Sequence, residues 1–342
     1  MGCEQQLHLT ARHTNRNASR FRQLLLLLEQ GRRLFESIRS RVQRTLSLLQ
    51  NTQSCAMDRR EFRQGCIAVS IYAAENVPRV RDSPSKGIAL LVHGWPDRAD
   101  ELFRYQIQAL LNAGFSCATV TLPAFDARVQ DVASPNFSDV VDDMHELVTS
   151  NLLSSAHPVI TLIGHDFGCL VVGLYAARYP ATVRNLVMLD VGLGRFPKQA
   201  SFFLTCFLYS YQVAALLCYR VLPRFIAAPI VRAIARVSHA PRNPNEVTPS
   251  MGWVYYELYR NYKSLGKELS AIGPNLPILF MYGERNLLRF FSQRWLDRVS
   301  KQVHGLCQGF PGDHWFLVRS KCRDQVSEAI VVWLERQRSS SL

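Results

Sequence analysis

An aspartate stands where a nucleophile would be presented. The stretch Leu162-Ile163-Gly164-His165-Asp166-Phe167-Gly168-Cys169 follows a β-rich run and opens a helical one that continues to about Tyr179, before Pro180. Glycines two residues before and after a central residue, at a strand-to-helix corner, form a nucleophile elbow, a turn so tight that only small residues fit beside the nucleophile. Its side chain then stands clear of the sheet edge, above the first N–H groups of the helix. Asp166 takes that place, where an esterase or lipase would need serine. The competing reading is a plain turn in which Asp166 caps the helix. A second cluster, Leu91-Val92-His93-Gly94-Trp95-Pro96-Asp97, ends an earlier strand-like run. It puts the Trp95 backbone N–H where it can meet that of Phe167, and two convergent donors make an oxyanion hole. The third cluster is Gly312-Asp313-His314-Trp315-Phe316, in a predicted loop before the terminal helix. A histidine so placed, with elbow and hole upstream, is the expected general base.

These groups need a frame. Short apolar runs at Ile88–Val92, Ser116–Leu122, Val159–Ile163, Leu186–Leu189 and Ile278–Tyr282 alternate with helix-length segments. Near-continuous apolar runs of this length point to a parallel sheet covered on both faces, a doubly wound α/β domain. The alternation stops between about Leu193 and Gly273, where the chain reads as helices only. Such an insertion predicts a helical lid over the C-terminal edge of the sheet. Within it, Ala200–Tyr219 has no charged residue and the length of a membrane span. Its Ser201, Thr205, Tyr209, Ser210, Tyr211 and Gln212 favour instead a buried lid helix facing an apolar cavity. The expected organisation is an extension over residues 1–63, a core over 64–192 and 274–342, and a lid over 193–273.

The 342 residues are 48% hydrophobic and 20% charged, which excludes a disordered or collagen-like chain and leaves ample material for a core. Nine cysteines lie scattered without a CxxC pair, so neither a zinc site nor a disulfide framework is indicated, and an intracellular location is expected. The net charge of +13 is uneven. Residues 1–65 hold twelve Arg, no Lys and five acids, giving +7 and leaving +6 for the rest. That basicity belongs to an extension rather than to a nucleic-acid-reading domain, and no nucleic-acid partner is expected. Phe21–Leu49 repeats Leu, Ile, Val and Phe at helical spacing with Arg between them. Three uses of this segment stay open: packing on the main domain or a partner, mitochondrial import, or peripheral membrane association. Met1-Gly2-Cys3 resembles an acylation start, although Gln6 stands where that motif takes Ser or Thr.

Taken together, His93–Pro96, Gly164–Gly168, the helical insertion and Gly312–Trp315 resemble the α/β-hydrolase fold, and within it the epoxide hydrolase branch, over roughly Gln64 to Arg336. The resemblance implies a hydrolase with no cofactor and no metal, acting on a small lipophilic substrate. Asp166 would attack an electrophilic carbon to give an ester, and His314 would activate the water that hydrolyses it. The family protonates the leaving oxygen with lid tyrosines, and the expectation falls on Tyr211 and Tyr256. Haloalkane dehalogenases share the Asp nucleophile, but Phe167 replaces the Trp that both groups mostly carry next to it. Most members place the acid that orients the histidine where Asn286 stands, in Tyr282-Gly283-Glu284-Arg285-Asn286. Asp190, at the end of the strand after the nucleophile, is the expected substitute, with Glu284 as the other candidate. Without either, the chain would be a non-catalytic hydrolase-fold protein binding a lipid or a partner.

Overall fold

Residues 57–74, 85–194, 199 and 201–339 are described by the computed structural model, and the Phe21–Leu49 segment lies outside them. The described chain opens with an antiparallel pair, β1 (Met57–Gln64) and β2 (Ile67–Ala74). Six parallel strands follow: β3 (Ile88–Val92), β4 (Ser116–Thr121), β5 (Ile160–His165), β6 (Val183–Leu189), β7 (Ile278–Gly283) and β8 (Leu306–Phe310). The sheet order is β1-β2-β4-β3-β5-β6-β7-β8, with β2 antiparallel to β4. Each apolar run read from the sequence is one of these strands, and the reason is visible in β3. All five of its residues are buried. Ile88, Leu90 and Val92 enter one core while Ala89 and Leu91 enter the other, the two-residue alternation of a pleated strand with no wet face.

The first strand corrects an expected boundary. All but the last residue of Met57–Gln64 falls within the expected extension, yet the run is an edge strand, so the domain begins near residue 57 rather than 64. Its arginines are placed to pair: Arg59 with Asp100 and Arg63 with Asp131. Charge on an outer strand also blunts edge-to-edge association.

Helix α1 (Arg104–Asn112) covers one face, and α2 (Phe137–Leu147) and α3 (Phe167–Arg178) the other. Between β6 and β7 come α4 (Phe202–Arg220), α5 (Arg224–Val237) and α6 (Trp253–Leu269), with no strand among the described residues. After α7 (Gln293–Ser300), α8 (Arg323–Ser339) returns to the face of α1. Ser201 starts α4 by accepting the Leu204 N–H at 3.2 Å. Strand β3 connects onward to β4 on one side and its neighbour β5 to β6 on the other, so the chain leaves these adjacent strands in opposite directions. That switch point opens a crevice at the C-terminal ends of the strands.

Candidate active site

Asp166 leaves β5 at φ 51° and ψ −121°, a region closed to most side chains. Close contact makes the neighbouring glycines obligatory. A Cβ on Gly164 would lie 2.6 Å from the Gly168 carbonyl oxygen, and one on Gly168 only 1.9 Å from that of Val92. A Cβ on Gly94 would lie 2.5 Å from the Asp166 Cβ and 2.6 Å from the Phe167 nitrogen. The loops after β3 and β5 are thus pressed together, and their N–H groups converge. Trp95 N–H donates to Asp166 Oδ2 at 2.8 Å, and Phe167 N–H bonds the same carboxylate. Burial pushes the Asp166 carboxyl up to about 6, against the pull of His314 and of these two donors. It is therefore an anion at neutral pH.

The first loop is fixed from below and above. His93 Nδ1–H donates to the Gly94 carbonyl at 2.7 Å, while its Nε2 accepts the Leu122 N–H at 3.0 Å. Burial lowers this imidazole to about 3, so it is a neutral strut. Arg242, from the helical insertion, donates to the carbonyls of Pro96 and Asp97 at 3.1 and 3.3 Å. The Trp95–Pro96 peptide is cis.

His314 arrives from the loop after β8, and its Nδ1–H donates to Asp190 Oδ2 at 2.7 Å. Asp190 ends β6, wholly buried, at φ 70°. Its Oδ1 accepts the Gly283 N–H at 2.9 Å, and Asn286 Nδ2 donates to Oδ2 at 2.6 Å. Of the three acid-position candidates, Asp190 touches the ring and Asn286 touches Asp190. Glu284 is exposed, with its carboxylate lying over Gly309. Burial draws His314 down, but the bond to Asp190 and the charges of Asp190, Asp166 and Asp97 outweigh it, so the imidazole titrates above its ordinary value.

Three further residues sit inside the sequence motifs but received no role there. His165 Nε2–H donates to the His314 carbonyl at 3.0 Å, with the two rings 4.6 Å apart, and burial holds it neutral, well below its ordinary value. Asp97 is buried, accepts the Trp315 indole N–H at 2.8 Å, and is pushed up to about 7 by burial. Its Oδ1 has no hydrogen-bond partner among the described residues. The third is Asn286, noticed in the sequence only as a missing acid. No signal short of the geometry identifies it as a donor to Asp190.

The insertion supplies the opposite wall. Asp166, Phe167, Tyr211, Gln212, Tyr255 and Phe290 are among the residues lining a cavity of about 380 Å³. Tyr255 packs edge-on against Phe167 and Trp95, ring centres 5.0 and 5.9 Å away, and 6.2 Å from Tyr211. Tyr256, the expected partner of Tyr211, is elsewhere. It lies 5.5 Å from the Arg220 guanidinium, 5.9 Å from that of Arg260 and 5.9 Å from the Tyr219 ring. One residue along an α-helix rotates the side chain by about 100°, and that step exchanges Tyr256 for Tyr255. Gln212 donates to the Tyr211 hydroxyl at 3.4 Å while accepting the Tyr259 hydroxyl at 2.6 Å, which leaves the Tyr211 proton to be donated. Burial raises both the Tyr211 and Tyr255 phenols above their ordinary value, so both stay protonated. A larger cleft of about 700 Å³, between Gly266–Pro274 and Ser292–Gln302, holds none of these groups. Among the described residues, no cluster of three or more His, Cys, Asp or Glu could hold a metal ion.

Solved structures share this arrangement of elements. A haloalkane dehalogenase loop variant from Bradyrhizobium elkanii aligns over 84% of this chain and 99% of its own, at 13% identity and TM-score 0.58. Epoxide Hydrolase A from Mycobacterium thermoresistibile aligns over 82% and 98%, at 16% and 0.50. A lipase described as putative, from Acinetobacter baumannii AYE, aligns over 86% and 97%, at 14% and 0.58. At such identities the likeness establishes the fold alone. No curated protein matches the sequence. The model of the Alpha/beta hydrolase family matches residues 89–329, well over half of the chain, and the chain belongs to that family.

Proposed function

We propose that this hydrolase opens epoxides of lipophilic substrates to diols through an ester on Asp166. One observation carries the reading: a buried carboxylate holds the elbow, with Oδ2 on the Trp95 N–H at 2.8 Å and two phenols on the facing wall of the cavity. With Oδ2 occupied, Oδ1 is the oxygen that attacks. A carboxylate suits attack at an sp³ carbon, because the ester formed there is itself hydrolysable. As the new C–O bond forms, the ring C–O bond breaks, and the departing alkoxide takes a proton from Tyr211 or Tyr255. His314, held in one tautomer by Asp190, then takes a proton from water, and the hydroxide adds to Cγ of Asp166. The oxyanion develops on Oδ2, already on the Trp95 N–H, with the Phe167 N–H on the same carboxylate. Collapse breaks the Cγ–Oδ1 bond, the departing diol oxygen takes the proton from His314, the remaining acid proton returns to the tyrosinate, and Asp166 keeps one water-derived oxygen. Halide release would call for N–H donors in the cavity. Phe167 has none to offer from its side chain, the Trp95 indole does not line the cavity, and the Gln212 amide is engaged by the Tyr211 and Tyr259 hydroxyls, which favours the epoxide. Repeated turnover in heavy-oxygen water should place label in the peptide containing Asp166. Label that passes straight from water to product, with none in that peptide, would refute the ester mechanism.

A further inference from the structure

Helix α4 is apolar on two sides. One side brings Tyr211 and Gln212 to the cavity and buries Leu208, Ala215 and Cys218. The opposite side, which a water-facing helix fills with charge, presents Phe203, Phe207, Val213 and Leu217, exposed by 76, 42, 44 and 41%. The surface continues into α5 through Val221 and Phe225, exposed by 65 and 79%. Contiguous exposed aromatic surface of this kind marks an interaction site. By length and composition α4 could cross a membrane, with 22% of its apolar window buried. Its cavity-side contacts hold it in the domain, however, so it suits lying in a surface rather than spanning it.

Charge identifies what covers this face. Between Asp190 and Glu246 the sequence has no acidic side chain and seven basic ones. Arg220, Arg224 and Arg236 are exposed on the two helices that carry the patch. Apolar surface fringed by arginine and free of carboxylates matches the boundary between acyl chains and anionic headgroups. The chain's own residues 1–65, at +7, would bring like charge onto like. A second copy of the same face would do so as well.

We propose that the α4–α5 face docks on an anionic lipid surface, with Phe203 and Phe225 among the acyl chains and the arginines at the headgroups. The cavity wall formed by Tyr211 and Gln212 lies on the same helix, so a lipophilic substrate can pass from the bilayer to Asp166. That route rests on the proposed function, whereas the docking does not. All five native tryptophans are buried, so Phe203→Trp and Phe225→Trp in the full chain each add one exposed reporter. With phosphatidylcholine vesicles containing phosphatidylserine, both reporters should shift to the blue and be quenched by brominated acyl chains. Phosphatidylcholine alone should give neither effect. Replacing each Phe by Glu should weaken partitioning about tenfold or more, and each of Arg220→Gln and Arg224→Gln about fivefold. Turnover of a water-dissolved epoxide should be unchanged in all four, so a failed epoxide assay and a failed docking assay are separate results. Three outcomes overturn the proposal: no vesicle binding, binding with unquenched reporters (docking by the N-terminal segment), or reporters already blue-shifted in buffer (a face covered by the chain itself or a second copy).

Discussion

Asp190→Asn should separate the two halves of the proposed cycle. The carboxylate is wholly buried and 2.7 Å from His314 Nδ1. At an effective dielectric near 20, its attraction for the imidazolium that forms during water activation is about 6 kcal/mol, or roughly 10⁴-fold in rate. A loss of about 10⁴ accompanies the same replacement in a serine-protease triad. Alkylation of Asp166 does not use His314 as a base and should survive within about tenfold. The ester should therefore accumulate and appear as an intact-mass adduct after rapid quenching with a lipophilic epoxide. Asparagine also fails by geometry. If its oxygen keeps the Gly283 N–H, its amide faces both the Asn286 amide and the His314 N–H, donor against donor. Adding Asn286→Asp restores a carboxylate one hydrogen bond away, since Asn286 Nδ2 is 2.6 Å from Asp190 Oδ2. The double variant should regain about ten- to a hundredfold in ester hydrolysis. A folded Asp190→Asn enzyme that turns over at the parental rate, or that forms no adduct, refutes the assignment of Asp190.

Tyr211→Phe and Tyr255→Phe should each slow ester formation by about 10²-fold or more, read as single-turnover adduct growth, while Tyr256→Phe stays near the parent. Asp166→Asn should abolish the adduct and stabilise the fold above pH 6. The native carboxyl titrates near 6 against an ordinary 3.8, so the unfolded state releases its proton first and stability falls as pH rises between those values. The full cost is about 3 kcal/mol, and urea unfolding at about pH 3 and about pH 7.5, either side of that window, should show the variant's advantage only at the higher value. Turnover should rise with pH through the raised titration of His314, which must be neutral to accept a proton, and hold through mildly alkaline conditions because both phenols are raised. An acid limb that stays in place in Asp190→Asn would refute His314 as its source.

The parts of the site made from backbone turns were legible, because turns constrain residue type. The elbow needs Gly164 and Gly168 on steric grounds alone, and the His93–Pro96 loop places a backbone donor whatever the side chain of its third residue. Asp190 could be inferred because a buried acid at a strand end has few uses. The place of Tyr255 on the cavity wall is not legible, since a tyrosine-rich helix shows its period but not its phase, and a single residue of phase error points to Tyr256. The strand Met57–Gln64 is masked in the sequence as part of the extension because four of its residues are Arg or Glu in close succession. Its partners Asp100 and Asp131 lie far along the chain, where no local pattern reveals them. The exposure of α4 was also hidden. Composition shows that the helix is apolar but not which of its sides the protein covers.

The crowding around the elbow has a consequence for how this site could change over time. Gly94, Gly164 and Gly168 are each locked by contacts of 2.6 Å or less to a missing Cβ, so drift at these positions is closed. Position 166 is the exception, since its side chain projects into the cavity and the donors that serve it belong to the backbone. A change of side chain there alters the available chemistry while the scaffold keeps its shape. Invariance of the frame is what leaves that one position free to diverge, and a serine at 166 would meet the converged Trp95 and Phe167 N–H groups on its first appearance.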